Sequence, residues 1–155
     1  IKNFCHKKKF IEFDEILKLT NSAENYNISE LIDNCLIKNK KKVINILNEN
    51  IPTIEDNILI VRTFLNKLKR LKKLKIEVEN KKSVEQVISS YKPPIFWKDK
   101  EVIKQQLKVL SLTEIRAFIK RVNNLELLIK KNSNFSYQIT NGFVMEMLDI
   151  PNNYL

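Results

Sequence analysis

Cys5 and His6 stand side by side, the one place in the sequence where a thiol nucleophile and an imidazole base come together. Adjacent residues rarely aim their side chains at one another, and no third group at a fixed spacing orients the imidazole, so the pair reads as chance adjacency. With one histidine, and two cysteines lacking CxxC spacing, the sequence offers no recognisable metal ligand set. Phosphate chemistry is equally short of parts. The only Lys-Ser pair, Lys82-Ser83, follows Lys81 and has no glycine upstream, whereas a phosphate-binding loop needs glycines that leave its backbone N–H groups bare. The chain holds a single glycine, Gly142, which also excludes a dinucleotide fingerprint. Glu77, Glu79 and Glu85 lie among lysines and read as solvated surface. The expectation is therefore no catalytic residue, no metal ligand and no cofactor.

The elements that carry these residues read as helices. A chain of 155 residues, 43% apolar and 30% charged, is long enough for one domain with its own core. One glycine and four prolines leave too few turn-formers for an all-β fold. Asn27 with Glu30, Ser83 with Gln86, and Ser111 with Glu114 have capping-box spacing, with Thr53 and Asp56 as a near version, so four helix starts are marked. After Asn27, the residues Ile28, Leu31, Ile32, Cys35 and Leu36 form a one-sided stripe that places Cys35 in the core. Lys38 to Lys42 interrupts it, and Val43, Ile46 and Leu47 begin a short second helix. Pro52 ends that helix, and Thr53 opens the longest, about Ile54 to Lys75. Its first half is apolar on most sides, as suits a central helix. Its second half sets Leu65, Leu68 and Leu71 beneath lysines, which reads either as a membrane-surface or calmodulin-target helix or as a solvated helix end.

Further on, a helix from Val84 to Tyr91 ends at Pro93-Pro94, which force an extended segment before Ile95, Phe96 and Trp97. The aromatic pair reads either as a partner-docking anchor or as a plug that closes the bundle. A helix from about Lys98 to Val109 follows, then one capped by Ser111 whose stripe is Ile115, Phe118, Ile119, Val122, Leu125 and Ile129. Tyr137 to Leu148 reads as a last helix, although Asn141-Gly142 is also a hairpin signal. No apolar run approaches the ~18 residues that span a bilayer, and the unpaired thiols suit a reducing cytoplasm. The net charge of +10 invites a nucleic-acid reading. Lys, Ile and Asn number 24, 21 and 19, however, and lysine outnumbers arginine 24 to 4, so much of that basicity reads as A- and T-rich codon usage. The chain starts with Ile1 and reads as a piece of something longer.

One run of motifs resembles a known family. Lys92-Pro93-Pro94-Ile95-Phe96-Trp97-Lys98, then Gln105-Gln106-Leu107, Leu112-Thr113-Glu114-Ile115 and Asn124 to Lys130 resemble, in order and spacing, the C-terminal domain of the bacterial DNA polymerase III delta subunit. Phe13 to Ile16, Ile28 to Asp33 and Ile58 to Arg62 fit its upstream elements, so the likeness spans about Glu12 to Leu148. It departs where Trp97 stands for an aromatic of either kind, and where Val109 or Leu110 stands for a Trp. The resemblance implies an all-α, antiparallel bundle of about six or seven helices, the collar domain of a clamp loader. It divides the chain into 1–26, the end of a small AAA+-like lid domain; 27–149, the collar; and 150–155, a tail. The implied role is non-catalytic: holding the loader together within a DNA-directed DNA polymerase holoenzyme and supporting clamp loading in DNA replication. Implied partners are other loader subunits of the gamma/tau and delta prime type, the sliding clamp only through a separate N-terminal domain, and DNA through the whole complex, with no membrane. Pro94, Phe96 and Trp97 are the expected subunit contacts. The alternative is a basic all-α nucleic-acid-binding domain.

Overall fold

The computed structural model describes residues 27–49, 54–80 and 83–149. The expectations placed on 1–26, on Pro52 and Thr53, and on 150–155, including Cys5, His6, the lid-domain end and the tail, lie outside them. The described residues are all-α: helices α1 (27–36), α2 (Lys40–Glu49), α3 (Ile54–Glu79), α4 (Val84–Ser90), α5 (Lys100–Val109), α6 (Leu112–Lys131) and α7 (Ser136–Asp149), with 3-10 turns at Trp97–Asp99 and Ser133–Phe135. No strand occurs among them.

Local chemistry accounts for most of the boundaries. Ser83 and Ser111 each cap a helix reciprocally, with Gln86 and Glu114 reaching back to the cap backbone, as their spacing predicts. Asn27 is not the predicted cap, because it already has helical backbone. The end of α1 is a Schellman turn: Lys38 N–H donates to the Cys35 carbonyl at 3.0 Å, and Asn39 N–H to the Asn34 carbonyl at 2.9 Å. Lys38 holds the left-handed position of that turn, φ 59°, where glycine is usual. This glycine-poor chain places a lysine there instead. Because the Lys38 to Lys42 run closes one helix and then joins the next, α2 starts at Lys40, earlier than the apolar pattern alone indicates. Gly142 lies inside α7 at negative φ, so the hairpin reading of Asn141-Gly142 falls.

The bundle is organised around α3. Ile60, Val61, Phe64, Leu68, Leu71 and Leu74 are buried along its length, and α4, α5, α6 and α7 all pack against it. Phe64 meets Phe143 of α7 edge-to-face with centroids 5.7 Å apart, the favoured arrangement of two aromatic quadrupoles. The α6 stripe Ile115, Phe118, Val122, Leu125 and Ile129 faces inward as its spacing predicts. The α1 stripe does too, and Cys35 is 1% exposed, with its thiol pushed up to about 12 by burial. The α6–α7 pair is antiparallel: Arg121 is ion-paired to Glu146 near one end, while Leu128 and Ile139 line the same groove nearer the connecting turn.

Candidate functional site

The lysines of α3 are divided between structure and surface. Leu68, Leu71 and Leu74, the apolar side of its basic half, are almost fully buried, so that half is no free amphipath for a membrane or a calmodulin-type partner. Nor is it wholly a solvated end. Lys67 Nζ lies 2.6 Å from Asp33 Oδ2 and 2.9 Å from Ser29 Oγ, and Gln106 Nε2 donates to Asp33 Oδ1 at 2.9 Å. One carboxylate thereby ties α1 to α3 and α5. Lys75 Nζ donates to the Leu107 carbonyl at 2.7 Å, near the end of α5. These lysines belong to the bundle, whereas Lys69 and Lys73 are exposed.

Glu114 is a second junction. Besides capping α6, its carboxylate accepts from Lys38 Nζ at 3.3 Å, linking the α1–α2 turn to α6. Burial alone would raise its pKa, but hydrogen bonds from Ser111 and the ammonium of Lys38 outweigh this and hold it below the ordinary 4.5. The depression stabilises a helix start rather than preparing a proton transfer: the carboxylate is already engaged by a cap and a lysine. Among the described residues no cluster of three or more His, Cys, Asp or Glu side chains could hold a metal ion. No helix among them is long and apolar enough to cross a membrane.

Among the described residues, apart from Val109 at the end of α5, the exposed large apolar side chains gather in two places. The first is the segment singled out in the sequence. Ile95 is buried and plugs the bundle, but Phe96 is 56% and Trp97 67% exposed, and Pro94 is exposed as well. The structure thus splits the two readings of this segment, with Ile95 inside and the aromatic pair outside. The second place lies off the stripe of α6: Leu127 and Leu128 are 58% and 50% exposed, and Phe135, in the turn that leads to α7, is 61% exposed. Leu128 continues into the open groove between α6 and α7, with Leu125, Ile139 and Phe143 beneath it and Asn124, Gln138 and Gly142 at its sides. Two of the cations beside this surface are paired, Arg121 with Glu146 and Lys130 with Glu126, the latter at 2.7 Å, while Lys131 is exposed at the end of α6.

The signal for that second surface is present in the sequence. Leu127 and Leu128 follow a core position, Leu125, without themselves falling on the inward stripe, so a helix buried on one face must leave them out. No family model, curated protein or solved structure matches the chain.

Proposed function

We propose that this chain is the subunit-assembly, or collar, module of a delta-type subunit of a DNA polymerase III clamp loader. It supports clamp loading in replication by holding subunits together, without catalysing a reaction itself. The observation that carries this reading is the surface formed by Leu127, Leu128 and Phe135 with the α6–α7 groove. It joins exposed aliphatic and aromatic side chains to an open groove flanked by the Arg121–Glu146 and Lys130–Glu126 pairs, on a bundle whose motif order resembles that family. Interface centres are apolar and enriched in aromatic side chains, and Leu127, Leu128 and Phe135 offer such a centre. The expected contacts Pro94, Phe96 and Trp97 lie outside the proposed centre, because Lys92 and Lys98 are exposed beside them. The partners under this reading are loader subunits of the gamma/tau and delta prime type, in the cytoplasm. The sliding clamp and DNA are reached through other parts of the complex.

The test is to mix the 155-residue chain with gamma/tau-type and delta prime subunits, without ATP, and measure mass by size exclusion with light scattering. A stable complex is expected, and Leu128→Asp should abolish it while the far-ultraviolet circular dichroism stays unchanged. A folded chain that remains alone in the mixture overturns the proposal, as does a Leu128→Asp variant that assembles normally.

A further inference from the structure

The single glycine of the chain stands where the fold itself has no use for it. Gly142 lies at negative φ inside α7, and a Cβ added to it would meet nothing within 4 Å. No turn, no left-handed backbone and no close packing within the chain asks for glycine here, and a glycine inside a helix weakens it. At Lys38, by contrast, a left-handed position that favours glycine is filled by lysine. The missing side chain at 142 is therefore to be explained by what lies outside the chain.

Gly142 lines the α6–α7 groove, a cleft of about 420 Å³. On the α7 side Gln138, Gly142 and Glu146 follow one another at intervals of four, the spacing of a ridge along a helix surface, and Ile139 and Phe143 form the row beneath. The ridge is thus broken at its centre. On the α6 side the wall is Asn124 and Leu128, with Leu125 at the floor. The Arg121–Glu146 pair spans one end, and the half-exposed Leu128 opens the other. The notch left by Gly142 lies between these two layers.

The walls restrict what can lie in this groove. The backbone groups of the residues at its centre, Asn124, Leu125, Gly142 and Phe143, are spent on their own helices. An extended segment laid over the apolar floor would lose its backbone hydrogen bonds to water and find few in return. A helix arrives with its backbone already satisfied, and its ridge can pass through a gap in the ridge it crosses.

We propose that Gly142 is the crossing point for an amphipathic helix of the partner subunit, which passes over α7 at close range and sets its larger apolar side chains against Leu128 and Ile139. The proposal rests on the assembly reading and names, within that surface, the residue that decides how near the partner comes. A side chain at 142 would restore the ridge and hold the two helices apart, because the separation of packed helices is set by the side chains at their contact.

The full chain, wild type or variant, is titrated with gamma/tau-type and delta prime subunits and assembly is read by light scattering. Gly142→Leu should weaken assembly roughly ten-fold or more and Gly142→Ala by a smaller factor, while neither lowers the urea midpoint of the chain alone. The sign is decisive: added apolar area would tighten an interface that had no need of the notch. A benzophenone amino acid in place of Asn124 or Gln138 should cross-link to residues three, four or seven apart in one partner segment, the spacing of a helix face. Gly142→Leu that assembles as well as wild type overturns this proposal and leaves the assembly reading standing, whereas a wild-type chain that forms no complex overturns both. Cross-links without helical spacing also overturn it, as does a Gly142→Ala variant that loses stability and assembly together.

Discussion

Gly142 shows how far residue type and structural demand can separate. It sits within α7, at negative φ, and a methyl group added to its Cα would meet nothing within 4 Å. Glycine is thus not required there, while its backbone entropy costs the helix about 0.5–1 kcal/mol relative to alanine. Gly142→Ala should therefore stabilise the chain by about that amount, read as a higher urea midpoint at unchanged slope. Destabilisation would mean that α7 needs a flexible point at this position. Lys38 is the mirror case, since a position that favours glycine is filled by lysine. The left-handed conformation is tolerated there because the Lys38 side chain finds Glu114.

At the scale of elements, junctions between helices matter more than helix propensities. Glu114 joins a cap to an ion pair across the bundle, and its carboxyl is held below the ordinary 4.5 in the folded chain. A group depressed in this way contributes stability above its unfolded pKa, and that stability is lost as pH falls through the folded value. Glu114→Gln keeps a side chain that can close the capping box, as Gln86 does for α4, but removes the charge that Lys38 uses. The variant should lose about 1–2 kcal/mol at pH 7 and show a shallower loss of stability below pH 4.5, measured by urea denaturation across pH. An identical acid limb in both proteins would show that Glu114 is not depressed. Capping boxes and inward stripes were legible in the sequence because they are local, set by spacings of three and four residues. Lys67 with Asp33 and Lys38 with Glu114 were not, since nothing in a helical period tells which lysine of a basic run turns toward a carboxylate on another helix. The aromatic pair at 96–97 is marked by its residue types, whereas the exposure of Leu127 and Leu128 follows only from their falling off the inward stripe of α6.

For the molecule as a whole, the net charge of +10 bears directly on the stability of the fold. Within the fold, exposed cations such as Lys69, Lys73, Lys108, Lys120 and Lys131 repel one another. Several carboxylates already engage a cation, mostly in exposed pairs that are each worth about 0–1 kcal/mol. The better shielded pairs, Lys67–Asp33 and Lys38–Glu114, are screened less by salt than charges facing water. Raising ionic strength toward the range where the Debye length is about 8 Å should then weaken repulsion more than attraction. The urea midpoint is expected to rise between low salt and physiological salt, by an amount equivalent to about 1 kcal/mol or less. A midpoint that drops with salt would mean that the ion pairs, and not the surplus of lysine, dominate the electrostatics of the folded chain. Basicity would then be an integral part of the bundle rather than a surplus carried on its surface.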